Sequence, residues 1–433
     1  MKKIVTVIVF VLPVLLGLLL VLLFGVNGAV GDQLDIVPPL LAKQSAQQLR
    51  LADLAAFHNE HRILFPRLIM LVLARLTRYS NIAEMLFIQL LLALSLLILL
   101  MQFRARLAQR VEWLWFAPVP FLLFSWRQWE TMLYGVQIAY ILPVFCVLLS
   151  FFALDRLEKG WRGVLAMAAA MLCASIASFS LLPGLFAWPA GLLLLLLKSQ
   201  PGARKKWWVL LWLLAGISHW LLYFHGFQAL PRVEAPLAAL PQLLALASFF
   251  LACLGNALIG RYIAVLILTG MGLVAFLPVL SFWLTRARCW GRNAFSIALL
   301  FFSLLAVMSI ALGRFQLGIR AGLGARYSTF ALLFTIAVYM LLLDLKGQQP
   351  QRLLRPALAF LLLVILLSTP LAYYRGLVHG RLQKQERMLQ AWTLATFAQR
   401  SDDELKQVHP RPQAVRQGAA MLQRLKYNVF ATK

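Results

Sequence analysis

The chain has 433 residues, 62% of them hydrophobic and 13% charged, with a mean hydropathy of +0.81 and a net charge of +26. A soluble domain carries about 25% charged residues, so a water-solvated globular surface is excluded. The 41 Lys and Arg residues stand in short clusters between apolar runs, which argues for a membrane topology signal and against a nucleic-acid partner.

The first apolar run, Ile4 to Phe24, is long enough to span a bilayer. It exceeds the apolar stretch of a signal peptide and no A-x-A-like site follows it, so it reads as a retained first helix. The runs do not alternate, which rules against a β-barrel and leaves an all-α polytopic membrane protein. Placing the basic clusters at 104–110, 155–162, 198–206, 286–292 and 346–355 on the cytoplasmic side orients the rest. Spans then fall near 4–24, 82–103, 111–125, 137–154, 163–182, 184–197, 207–224, 262–284, 294–312, 327–344 and 356–374. That is about 11 crossings, with the N-terminus cytoplasmic and the C-terminus outside. Residues 240–258 are apolar enough to cross but would invert the following cluster, so they read as a re-entrant or surface-lying helix. Counting them differently gives 12 or 13 crossings. The transmembrane domain covers 1–374, and 375–433 form a basic, partly helical, non-cytoplasmic tail.

Four cysteines stand far apart with no CxxC, so neither a zinc site nor a disulfide framework is expected. The cytoplasmic loops hold no phosphate-binding glycine loop, which excludes a nucleotide-binding domain of the chain's own.

Chemistry is therefore sought in the outside loops. The first, about 25–81, opens on "GDQLD", whose Asp32 and Asp35 share a face if helical. A carboxylate at a membrane–water boundary can be desolvated into a better proton acceptor; the alternative role for Asp32 is a helix-end or turn residue. The same loop carries "HNEHR", giving His58, Glu60, His61 and Arg62. Its histidine spacing is not HExxH and no cysteine pair accompanies it, so no metal is expected, a divalent cation being the secondary assignment. A polar cluster lining a cleft fits better, with Arg62 reaching anionic oxygens. The alternative is an amphipathic surface helix that continues as an interfacial helix over 63–76.

In the second loop Glu130 stands among Trp126, Trp129 and Tyr134, aromatics that suit either an interfacial belt or a sugar ring. A later loop carries Arg314, Arg320, Arg326 and Tyr327 among four glycines. Arginines concentrated outside run against the topology bias; a phosphate or a lipid head-group would explain them. In the tail, Asp402, Asp403 and Glu404 after Ser401 read as helix capping.

The segments "GDQLD", "FHNEHRILFPRL", "RQWETMLYGVQ", "GARYS" and "SDDEL…HPRPQAV" together resemble the GT-C superfamily of polyprenyl-phosphate-sugar-dependent glycosyltransferases, in particular a bacterial group with mostly unassigned substrates. The resemblance covers nearly the whole chain. It implies a GT-C-like fold in a bacterial inner membrane, a base at Asp35 or Asp32, and a second acid at Glu130. Glu60, His61, Arg62, Arg314, Arg320, Arg326 and Tyr327 would then hold the lipid-linked substrate. The expected partners are a polyprenyl-phosphate-linked sugar, a glycan or lipid acceptor and membrane lipids, with no cofactor. The wider Asp-x-x-Asp spacing departs from metal-dependent members. Two other classes fit the same layout, a lipid-linked glycan transporter or flippase and an O-antigen polymerase or ligase.

Overall fold

The computed structural model describes residues 2–106, 112–158, 160–198, 203–228, 240–258, 262–348 and 354–431. The basic clusters expected at 104–110, 155–162, 198–206 and 346–355 lie partly outside them. Helices dominate. In order they are α1 (Lys2–Phe24), α2 (Asp32–Ser45), α3 (Leu51–Ala55), α4 (Leu64–Thr77), α5 (Asn81–Arg106), α6 (Pro118–Leu123), α7 (Trp129–Met132), α8 (Ile138–Asp155), α9 (Trp161–Ser178) and α10 (Ala187–Leu197). They continue with α11 (Ala203–Phe224), α12 (Leu240–Gly255), α13 (Ile263–Arg286), α14 (Ala294–Arg314), α15 (Ser328–Gln348), α16 (Leu354–Ala395), α17 (Asp402–Leu405) and α18 (Pro412–Leu425). Two short strands, β1 (Phe57–His58) and β2 (His61–Arg62), form a hairpin between α3 and α4.

Among the described residues nine helices are long and apolar enough to cross a membrane, and they coincide with nine of the expected spans. The remaining two differ. The expected span at 184–197 is a 3-10 turn over Leu182–Phe186 followed by α10, because Pro183 and Pro189 restrict where an α-helix can begin. The expected span at 111–125 is not one helix. Its described part is a 3-10 turn (Trp113–Phe116) and α6, and the expected second outside loop follows as a 3-10 turn (Trp126–Gln128), α7 and a further 3-10 turn (Gly135–Gln137). Pro118 and Pro120 remove backbone donors there. The chain still travels the length of the bundle: Trp115 lies under the Lys346 ammonium near one end, and Tyr134 donates to the Val30 carbonyl at 3.0 Å at the other. Irregular backbone survives at such depth only when protein encloses it, and Ser125, Trp126, Arg127 and Gln128 are all buried.

The expected outside loops gather at one end of the bundle, called the upper end below. There the α2, hairpin, Trp126–Tyr134, Gly313–Ser328 and tail segments touch one another. At the lower end Lys198 pairs with Asp155 at 3.0 Å and Arg292 with Asp344 at 3.3 Å. The apolar 240–258 segment, expected to be re-entrant or surface-lying, contains α12, packed antiparallel to α13: a side chain at Gly255 would collide with the Leu266 carbonyl. Both α11 and α12 end at the upper end, where Tyr223 meets Arg62 and Asn256 meets Arg127.

α15 is buried along its described length and forms the centre of the bundle. α16 runs for 42 residues through the expected boundary at 374/375 without a break, so the tail begins as an extension of a spanning helix. It packs closely on α1, since a side chain at Gly380 would sit 2.6 Å from the Phe24 ring. α17 opens on the capping expected for this run: Ser401 Oγ accepts from Glu404 N–H, and the Glu404 carboxylate accepts from Ser401 N–H. α18 then folds back onto α2, and Asn428 ties the C-terminal segment to the first loop and the start of α5.

Candidate functional site

The polar stretch around His58 to Arg62 is a hairpin and not a helix. Asn59 adopts φ +52, a conformation Asn tolerates and that ends helical progression. His58 then faces His61 across the turn, and Phe57 faces Arg62. Arg62 does not point at an open site. Its Nε–H donates to the Tyr223 carbonyl at 2.8 Å, one terminal nitrogen to the Ala55 carbonyl at 2.8 Å, and the other to the His225 carbonyl. Its guanidinium also lies 4.1 Å over the Phe57 ring. These contacts pin the hairpin to the end of α11. Arg67 does similar work at the start of α4, donating to the Leu54 and Ala56 carbonyls. α4 makes the expected 63–76 stretch a helix, burying Met70, Leu71 and Ala74 while Leu68, Val72 and Leu76 face outward.

Pinned this way, the hairpin presents Glu60 and His61 to a cavity of about 400 Å³ between the Leu182–Phe186 turn, α11 and α14. Glu60 pairs with Arg314 at the end of α14, 3.2 Å apart. His61 is half-buried beside these groups, its Nδ1 without a hydrogen-bond partner, and burial pushes its pKa down to about 4. Tyr140 and Tyr327 complete the polar end. Behind it the walls are Phe186, Trp220, Phe224 and Leu312, and exposed Phe224 and Leu312 place its flank on the outer surface of the bundle. A polar head with apolar walls opening sideways suits an amphiphile better than a water-soluble ligand.

Glu130 sits on α7 next to this cavity. Its carboxylate takes the Arg326 guanidinium at 2.9 Å and the Arg326 backbone N–H at 3.3 Å, and the same guanidinium lies 5.2 Å over the Tyr327 ring. The two loop arginines nearest the cavity are thus each matched to one acid. Arg320 is exposed in the same loop and forms no ion pair among the described residues.

The two first-loop aspartates occupy the first turn of α2 as expected, but in different surroundings. Asp35 is clamped by the tail: His409 Nε2 lies at 3.0 Å and Arg411 at 2.7 Å. Asp32 is half exposed, with His58 Nε2 at 3.7 Å, and that imidazole holds its carboxyl below the usual carboxylate range. His58 joins Asp32 to the hairpin that bears Glu60 and His61. The tail partners His409 and Arg411 lie more than 370 residues away in sequence, and no local pattern announces them. Tyr140 was equally hidden, as an isolated tyrosine inside an apolar run.

Among the described residues no three His, Cys, Asp or Glu side chains come together as a metal-holding group. Fold and site together define a predominantly helical multi-pass membrane protein with a polar-headed, apolar-walled cavity at one end. Comparison of the chain with protein-family models, with curated proteins and with solved structures finds no match.

Proposed function

We propose that the protein is a membrane glycosyltransferase that moves a sugar from a polyprenyl-phosphate carrier to a cell-envelope glycan or lipid acceptor on the non-cytoplasmic face. The observation that carries this reading is the cavity at Glu60, Arg314, Tyr140 and Tyr327, polar at its head and apolar along its walls. A prenyl chain would lie along Phe186, Trp220 and Phe224, while the phosphate meets Arg314, with Arg326 behind it. Both guanidiniums are held in place by acids, so they need little rearrangement to meet developing charge. The upper end is then the non-cytoplasmic one, as the positive-inside pattern supports.

In the reaction the acceptor hydroxyl oxygen attacks the anomeric carbon from the face opposite the phosphate. The carbon–oxygen bond to the phosphate breaks, its electron pair leaves with the phosphate, and the hydroxyl proton passes to the Asp32 carboxylate. Asp32 fits this role better than Asp35, because Asp35 is already engaged by a histidine and an arginine. His58 orients the Asp32 carboxylate, and Glu60 and Glu130 position the arginines. The test replaces Asp32 and Asp35 with Asn, singly and together, and measures glycan modification in membranes. Loss of transfer in Asp32→Asn with activity retained in Asp35→Asn supports the assignment; full activity in all three variants overturns it.

A further inference from the structure

Two proline-bearing stretches far apart in sequence, "IVPPL" at 36–40 on α2 and "HPRP" at 409–412 leading into α18, meet at the upper end. Gly418 lets the two helices pack closely, since a side chain there would sit 3.1 Å from a Leu34 methyl. Beside that contact lies a cavity of about 710 Å³ between α2 and α18, larger than the Glu60–Arg314 cavity and sharing no residue with it. Pro38, Pro39, Pro410 and Pro412 wall it. Proline side chains have almost no freedom to lose, so these walls cost a ligand little ordering.

The charges of this cavity cancel within it. Arg411 donates to Asp35 Oδ1 at 2.7 Å, and Asp35 Oδ2 faces His409 Nε2 at 3.0 Å. The Arg411 backbone N–H donates to His409 Nδ1 at 3.0 Å, which leaves the ring proton on Nε2, where Asp35 accepts it. Asp35 and Arg411 are the charged residues among the described lining, and each already has the other. An incoming anion would meet the Asp35 carboxylate and an incoming cation the Arg411 guanidinium, and neither finds an unspent counter-charge.

What remains to read a ligand is the pair Gln413 and Gln417 on α18. Four residues apart, they share one face about 6 Å apart along the axis. Both are exposed, and neither amide bonds another described residue. An amide offers donors and an acceptor together, which suits a hydroxyl, itself both. Pro39 and Pro410 are exposed as well, so the cavity opens to water. Among the described residues no aromatic ring and no sheet edge lines it, so the common means of gripping a peptide are missing. A sugar ring joins hydroxyl edges to apolar C–H faces, as the cavity joins an amide row to proline walls. We propose that the α2–α18 cavity binds an uncharged saccharide chain and, resting on the function proposed above, that this saccharide is the acceptor. Asp32 stands one turn before Asp35 on α2, and His58, 3.7 Å from Asp32, belongs to the hairpin that carries Glu60. The base then lies between the acceptor cavity and the donor cavity.

The test is a saturation-transfer NMR titration of the full-length protein in nanodiscs with maltotriose, mannotriose, triacetylchitotriose and the anionic trigalacturonate. At least one neutral trisaccharide binds, and trigalacturonate binds about tenfold more weakly. Gln413→Ala and Gln417→Ala, exposed changes that favour helix, keep the melting temperature and each weaken binding by about threefold to tenfold. Arg314→Gln, at the other cavity, keeps the wild-type affinity. No binding of any neutral trisaccharide, a preference for trigalacturonate, or wild-type affinity in the double variant Gln413→Ala/Gln417→Ala overturns the site. This readout needs no turnover, so it stands or falls apart from the transferase reading. The acceptor role is read in membranes, where the double variant loses glycan modification but still binds polyprenyl phosphate; unchanged modification overturns that role.

Discussion

Replacing Asn428 with Ala tests how the tail is held, and the structure sets the size of the effect. The Asn428 side-chain oxygen accepts from Ala29 N–H at 2.9 Å, and its amide donates to the Tyr79 carbonyl at 2.8 Å and to Asn81 Oδ1 at 2.9 Å. The site is buried. Truncation leaves the Ala29 N–H and the Tyr79 carbonyl without these partners, at about 1–3 kcal/mol each, while Asn81 Oδ1 keeps its bond from Gly28 N–H. Asn428 also sits at φ +57, where Ala costs about a further 1 kcal/mol. The sum is about 3–7 kcal/mol, comparable with the whole stability of many domains. Thermal unfolding in detergent and hydrogen exchange across 401–430 read the outcome. Asn428→Ala should lower the melting temperature and expose the tail amides, and Asn428→Gly, which suits the backbone angle, should recover only the conformational part. Unchanged stability and protection in Asn428→Ala would refute the reasoning.

The other expectations concern the hairpin, the core and the cavity. Because the folded-state pKa of His61 is about 4 against an ordinary 6.5, the unfolded chain binds the extra proton between those values. Stability contributed by His61 is therefore complete above pH 6.5 and falls as pH drops toward 4, by up to about 1.4 kcal/mol per unit. His61→Gln should flatten that slope in pH-dependent unfolding, and an unaltered slope would count against the burial. Gly135→Ala would bring a Cβ to within 1.9 Å of Glu84 Oε2, a carboxylate already held by Gln33 and Asn81, so it should destabilise by about 1–3 kcal/mol, read by thermal unfolding. Arg62→Lys keeps the charge but cannot serve three carbonyls in one plane; limited proteolysis should find the hairpin opened, and a protected hairpin would show that the carbonyl contacts matter little.

Spans were legible where hydropathy is a property of a continuous run, which is why nine helices fall where the apolar stretches are. The broken path from Trp113 to Leu123 was not, because its apolar residues look helical one by one while Pro118, Pro120 and the enclosing helices decide the backbone. The polar residues of the upper loops were recognisable as unusual, and the fold does bring Glu60, His61, Arg314 and Tyr327 around one cavity. Their partners were not readable. Whether Asp32 or Asp35 is open to solvent depends on His409 and Arg411 arriving from the far end of the chain. Arg62 carries the same charge as Arg314 in the sequence, yet backbone carbonyls that only folding brings near consume it. Arg127 raises the same point from the other side, since nothing local shows that it will be buried against Asn256.

The central claim is that the Glu60–Arg314 cavity receives a lipid-linked phosphate. Its most direct test is photo-crosslinking with a polyprenyl phosphate bearing a diazirine in its first isoprene units, followed by peptide mapping. The account predicts label on Phe186, Trp220 or Phe224, lost in Arg314→Gln and competed by unmodified polyprenyl phosphate. Label confined to other helices, or labelling of these three residues that is indifferent to Arg314, would contradict it.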